Sequence, residues 1–141
     1  MKKENFEYGS PKYYIENRYV FDSEDYIIVI NDKIFDEETV EYANKIAEKY
    51  IKQKEEIFNY MLDIDLRSFY SIEYNYSDEY VKNNMGRPRI NINSRKDDAH
   101  PDWKFKYAGA IEFLEHKLDD HIITIEFIDD LILAKYIEID G

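Results

Sequence analysis

The sequence predicts a single α+β domain in which an antiparallel sheet packs against one long amphipathic helix and shorter helices. Three observations lead there. Residues 37–62 contain neither glycine nor proline and repeat apolar side chains at three- and four-residue spacing, the period of a helix with one buried face. Short β-branched and aromatic runs stand before and after that stretch, separated by polar turn formers. No repeat, low-complexity tract or linker divides the 141 residues, a length suited to one core that buries roughly two-thirds of the unfolded surface.

The first third reads as extended. Tyr13-Tyr14-Ile15, Tyr19-Val20-Phe21 and Tyr26 to Ile30 are strand-like clusters, and Asp22 to Asp25 form the turn of an early hairpin that ends at Asn31-Asp32. The long helix then starts at an Asp36 N-cap, with Glu37, Glu38 and Glu41 placed on the positive end of its dipole. Val40, Ala43, Ala47, Tyr50, Ile57 and Met61 form its apolar stripe. Glu41–Lys45 and Glu48–Lys52 sit opposite, in the favourable acid-first i,i+4 order.

Residues 64–86 predict shorter helical pieces, one capped by Asp65 and running past Phe69 and Ile72. A second is capped by Ser77 and stopped by Gly86 at C′ with Pro88 beyond. Arg89 to Asn93 and Trp103 to Tyr107 both alternate apolar with polar residues and predict strands, with a charged loop from Ser94 to Asp102 between them. Gly109 marks a bulge or kink before Ile111 to Leu114. His121 to Phe127 makes a further strand, and Asp129-Asp130 turn it into a last one over 131–139.

Composition narrows the possible roles. Thirty-one acidic side chains against nineteen basic ones give a net charge of −12. Such a chain repels polyanions, so nucleic acid and anionic membranes are poor partners. The excess is local: six bases from Arg87 to Lys106 meet three acids, whereas from Tyr107 onward two lysines meet nine acids. With no cysteine, thiolate metal sites and thiol nucleophiles are absent, which fits the reducing cytosol. The polar, charged first residues do not resemble a signal peptide. The fourteen tyrosines have two sources. AT-rich codon usage, which also favours Ile, Asn and Lys, supplies many of them, and tyrosine is also the side chain that interfaces select.

Catalytic equipment is sparse. His100, His116 and His121, with Asp102, are the candidate metal ligands, but no two histidines stand at a ligand spacing on one element. Asp97 to Asp102 lacks the central glycine and terminal glutamate of a calcium loop. Four glycines do not make a phosphate-cradling loop. The bases and aromatics of Arg87-Pro88-Arg89 and Trp103 to Tyr107 mimic a single-strand nucleic-acid surface, but read better as strands with an aromatic face and a basic face.

The order of elements, with Asn84-Met85-Gly86-Arg87-Pro88-Arg89-Ile90-Asn91-Ile92 at the helix stop and Leu118-Asp119-Asp120-His121-Ile122-Ile123-Thr124-Ile125-Glu126-Phe127 before a closing strand, resembles a loose group of small acidic bacterial domains of unknown function. Some of these are encoded beside polymorphic toxins and taken for immunity proteins. The resemblance spans residues 26–141 and implies a single cytoplasmic, non-enzymatic domain whose task is binding. It carries over no catalytic residue.

The leading expectation is therefore an acidic binding protein that occludes a basic protein partner, such as a toxin acting on nucleic acid. No catalytic residue, cofactor or metal is assigned. The candidate contact residues are Asp119, Asp120, Glu126, Asp129 and Asp130, with Tyr107 and Tyr136. A metal-dependent hydrolase built on His100, His116 and His121 is the enzymatic alternative. A structural module of a phage or mobile element is the third possibility.

Overall fold

A computed structural model describes residues 1–141. Eight strands form one sheet: β1 (Glu7–Ser10), β2 (Ile15–Asp22), β3 (Ile27–Asn31), β4 (Arg89–Arg95), β5 (Tyr107–Phe113), β6 (Ile122–Ile128), β7 (Ile132–Leu133) and β8 (Glu138–Asp140). They lie in the order β1-β2-β3-β4-β5-β6-β7, with β8 also on β6. All pairs are antiparallel except β3–β4. The early hairpin and the late meander are thus halves of one sheet, joined by that parallel pair. A parallel pair needs a long crossover, and helices α1 (Glu37–Met61), α2 (Arg67–Tyr74) and α3 (Asp78–Asn83) provide it.

Helix α1 begins as its sequence requires, with Asp36 Oδ1 accepting from the Thr39 amide at 2.9 Å. Its buried face carries Val40, Ala43, Ile46, Ala47 and Tyr50, then resumes at Ile57, Phe58 and Met61. In the gap between them Gln53 leaves helical geometry (φ −110°, ψ 16°), kinking α1 without a glycine or proline. After Met61 the chain does not stop. A π-helical turn over Leu62–Leu66 leads straight into α2. Asp65 is inside that turn and caps nothing, because Leu62 and Leu66 are both buried and keep the segment helical. The Ser77 cap of α3 is present, accepting from the Tyr80 amide at 3.1 Å. Gly86, two residues beyond the Asn84 cap, has φ +72°.

The helices cover one face of the sheet. Strand alternation sends Ile28, Ile30, Ile90, Ile92, Ile111, Phe113, Ile123, Ile125 and Phe127 into a single core with the α1 stripe. Gly109 sits in this face, opposite Ile92 and Phe127. The bulge falls on its partner strand, between Ile92 and Ser94. Gly109 is needed for space: a Cβ there would lie 2.1 Å from the Asn91 carbonyl oxygen and 2.7 Å from Phe127 Cζ.

Three expected strands differ. Trp103 to Lys106 is not a strand, because its aromatics pack on one another and not on the core. Trp103 stacks on His100 at 4.1 Å and on Phe105 at 5.1 Å, within turns closed by His100 N to Asp97 O and Trp103 N to His100 O. The expected final strand over 131–139 is split into β7 and β8. Leu131 adopts φ +56°, and although the Ala134 amide still donates to the Glu126 carbonyl at 2.9 Å, the Ala134 carbonyl is held by the Tyr60 hydroxyl at 2.8 Å, so the ladder breaks there. In the first third, Pro11–Tyr13 is a 3-10 turn and Tyr14 is left-handed at φ +57°. That turn folds the tip of the β1–β2 hairpin over the opposite sheet face, where Tyr13 and Ile15 cover Val20, Ile27 and Val29. No helix is long and apolar enough to cross a membrane.

Candidate binding face

The second face of the sheet has no helix on it. The hairpin tip covers only its β2–β3 corner. Arg87 fastens the tip: its guanidinium reaches Asp22 Oδ1 at 2.6 Å, the Ser23 carbonyl at 2.7 Å, Glu115 Oε2 at 2.8 Å and the Tyr13 hydroxyl at 3.0 Å. The Glu115 hydrogen bond is the main cause that holds the Arg87 pKa above its ordinary value, against the cost of burial.

The remaining face follows from strand register. One row runs Val29, Asn91, Ala110, Glu126 and the next runs Ile27, Arg89, Glu112, Thr124, Glu138, with Ile122 opposite Asp140 below them. Glu112, Glu126, Glu138 and Asp140 therefore share this surface. No basic side chain lies within ion-pair distance of any of the four, although the helical side is laced with ion pairs such as Lys82–Glu55 at 2.7 Å and Arg67–Asp78 at 3.0 Å. Arg89 stands directly across from Glu112 but turns the other way, its Nη2 donating to the Tyr13 carbonyl at 3.4 Å and its guanidinium lying 5.4 Å from the Tyr13 ring. Apolar groups flank the acids. Ile132 is 58% exposed and Tyr136 is 54% exposed, and with Phe105, Ala108 and Ile128 they line a trough of about 460 Å³. The Tyr136 hydroxyl donates to Glu126 Oε2 at 3.0 Å.

The candidate contact residues divide between this face and the scaffold. Glu126 and Tyr136 lie on the open face. Tyr107 is buried, stacked on Tyr42 at 3.9 Å and 8°, and so is closed to a partner. Asp129, at φ +46°, accepts from the Lys106 and Tyr107 amides at 2.8 and 3.1 Å and shapes the turn after β6. Asp130 pairs with Lys49 of α1 at 3.0 Å. Asp120 is exposed, but lies before β6 whereas Asp129 and Asp130 follow it. A seven-residue strand separates the two ends by roughly 23 Å, so these acids do not form one patch.

Asp119 is largely enclosed, its side chain 8% exposed. It accepts from the His121 amide at 3.0 Å, from the Tyr70 hydroxyl at 3.1 Å and from His121 Nδ1 at 2.8 Å. Burial opposes ionisation, but the hydrogen bonds from His121 and Tyr70, with the Tyr74 hydroxyl nearby, together outweigh it and hold the carboxyl below its ordinary range. Burial, and then the same carboxylate, push the Tyr70 hydroxyl well up.

The histidines do not converge. His100 stacks on Trp103 in the loop before β5, whereas His116 and His121 lie beyond its other end. His116 Nδ1 accepts from the Leu118 amide at 3.1 Å, which leaves the proton on Nε2, facing the His121 carbonyl oxygen. Both its ring nitrogens are engaged in the loop's own hydrogen bonding. No group of three or more His, Cys, Asp or Glu side chains is arranged to hold a metal ion.

Glu112, Glu138, Asp140, Ile122, Ile128 and Ile132 were not among the sequence-based candidates. The signal for Ile122 and Ile128 was present in the period of two along β6, where Ile123, Ile125 and Phe127 point one way and Ile122, Thr124, Glu126 and Ile128 the other; the other four reach this face only through strand register. Comparison of the chain with protein-family models, curated proteins and solved structures finds no match.

Proposed function

We propose that this chain is a non-enzymatic binding protein that docks a basic protein partner on the open face of its sheet, as an immunity-type or regulatory protein would to occlude the partner's own site. The observation that carries this reading is the juxtaposition on one face of four carboxylates without ion pairs and the exposed side chains Ile122, Ile128, Ile132 and Tyr136. Desolvated aromatic and aliphatic anchors supply affinity in protein complexes, and complementary charge supplies rate and selectivity. Four strand positions, β4, β5, β6 and the edge shared by β7 and β8, each about 4.8 Å wide, and a strand length near 23 Å give an area of roughly 440 Å². That is about half of the roughly 800 Å² each partner contributes to a standard complex. The flanking Phe105 and Tyr136 enlarge it.

The partner class is a protein with a positively charged, nucleic-acid-type binding groove, such as a toxin. The test screens the products of the neighbouring genes against the full chain by calorimetry and maps any complex by amide hydrogen exchange. Protection is expected in β5, β6 and β8, with affinity that falls as salt rises. Reversing Glu126, Glu138 and Asp140 to lysine should weaken the complex at least about a hundredfold. Protection confined to α1–α3, or binding indifferent to both salt and charge reversal, would sink the proposal.

A further inference from the structure

The open face contains a depression of about 530 Å³, whose lining includes Asn91, Ala110, Glu112, Thr124, Glu138 and Asp140. Asn91 is 3% exposed, an unusual place for a side-chain amide unless its polar atoms are satisfied. Its Nδ2 donates to Glu112 Oε1. That contact also fixes the orientation of the amide, because a carboxylate oxygen can only accept. Asn91 Oδ1 is consequently the atom left over, and it meets no donor of the chain. Glu112 is likewise half used: Oε1 is taken by Asn91 and Oε2 is free. The base that register places opposite Glu112, Arg89, is held on Tyr13. Arg18 also lines the depression, but it stands on β2, three strands or roughly 14 Å from β5, and forms no ion pair.

From this geometry we infer that the depression is a subsite for an arginine side chain of the basic partner. The groups without a partner in the chain, both open to solvent, are acceptors, a neutral amide oxygen beside a carboxylate oxygen. The matching ligand is a planar cation with parallel N–H groups, which a guanidinium provides and an ammonium does not. Ala110, small and 8% exposed, leaves room at the floor for the aliphatic stem. Glu138 and Asp140 stand at the rim on β8 and add attraction without fixing geometry. The inference rests on the docking face proposed above and names the chemistry at its centre.

The test titrates the isotope-labelled full chain with a blocked Gly-Arg-Gly peptide, and with its citrulline and lysine analogues, while the Asn91 side-chain amide and the Ala110 backbone amide are followed by NMR. Saturable shifts at both positions are expected with arginine. Binding should be about tenfold weaker with citrulline, which keeps the shape and loses the charge, and severalfold weaker with lysine. E112Q, which still accepts from Asn91, should weaken arginine binding about tenfold. A110L should abolish it by filling the floor, with the thermal transitions of both variants confirming folding. Equal response to citrulline or lysine, or shifts confined to the helical acids, overturns the assignment. If charge reversal at the rim abolishes the protein complex while E112Q and A110L do not, the docking face stands and the arginine subsite falls. If none of these variants affects the complex, both fall.

Discussion

Replacing Asp119 by asparagine tests whether its carboxylate holds the fold. The wild-type carboxylate accepts three hydrogen bonds, from Tyr70, the His121 amide and His121 Nδ1. Hydrogen bonds to charged groups contribute about 1.5–3 kcal/mol each. Asparagine can keep the Tyr70 and amide contacts through Oδ1 in weakened form, but sets an NH₂ against His121 Nδ1. A loss of about 2–3 kcal/mol follows for D119N, which for a chain of this size lowers Tm by roughly 7–12 °C. D119A, which also strands the buried Tyr70 hydroxyl, should cost about 3–4 kcal/mol. The control is D120N, whose exposed carboxylate has no hydrogen-bond partner in the chain and should move stability by no more than ~0.5 kcal/mol. Urea unfolding at several pH values reads all three. Because the folded pKa of Asp119 lies below its ordinary value, its contribution is complete above that ordinary value and fades as pH falls through the folded one. The gap between wild type and D119N should therefore be full at neutral pH and close in acid. Equal stability of D119N and D120N, or a gap that widens on acidification, would refute the assignment of Asp119 to the scaffold.

Four further outcomes follow from packing and charge. G109A should lose more than ~3 kcal/mol in chemical denaturation, since the new methyl meets a backbone oxygen that cannot move aside; a loss under ~1 kcal/mol would contradict the close approach. R87K should cost about 1–2 kcal/mol and speed proteolysis at the β1–β2 hairpin, because an ammonium cannot hold Asp22, Glu115, Ser23 and Tyr13 together. D36A removes the cap of α1 and the partner of Arg95 and should cost about 1–2 kcal/mol at pH 7. Although burial opposes it, the Thr39 amide and Arg95 hold the Asp36 carboxyl below its ordinary value. This deficit too should shrink as pH falls below the ordinary aspartate range. The triple variant E126Q/E138Q/D140N should leave Tm nearly unchanged, since none of the three carboxylates forms an ion pair, and a clear drop would mean that these acids serve the fold.

The legible parts of the fold were those set by local rules. The Asp36 and Ser77 caps, the α1 stripe and the Asp22–Asp25 turn each depend on residues within a few positions of one another, and each formed where the pattern placed it. The parallel β3–β4 pair depends on contacts between residues some sixty positions apart, such as Ile28 and Ile90, and no local period encodes it. Trp103-Lys104-Phe105-Lys106 has the alternation of a strand, but stacking on His100 competes with the ladder and prevails. Leu131 to Ile139 has the composition of a strand, yet Tyr60, far off on α1, captures the Ala134 carbonyl in its middle. At the site the limitation was similar. Clusters of adjacent acids, Asp119-Asp120 and Asp129-Asp130, stand out in a linear reading, but adjacency in sequence puts them in turns, where Asp119 and Asp129 bind their own backbone.

Residues that act together on a sheet are two positions apart along a strand and many positions apart between strands. That rule also explains why the charge of −12 does not describe any particular surface. On the helical side several acids are matched by Lys45, Lys52, Arg67 and Lys82, and at the hairpin tip Arg87 answers Asp22 and Glu115. The bases of the middle segment are similarly engaged, with Arg95 on Asp36 and Lys106 on Glu38, both at the start of α1. Folding thus uses much of the positive charge to fasten helices and hairpin, and Glu112, Glu126, Glu138 and Asp140 are among the acids it leaves without an ion pair, gathered on one sheet face. Unmatched carboxylates spread over a sheet attract a cationic surface over a distance near the Debye length, about 8 Å at physiological salt. The neighbouring Ile128, Ile132 and Tyr136 act only on contact. A partner would accordingly be oriented by charge before it is held by apolar burial. Raising salt should then slow association far more than it speeds release.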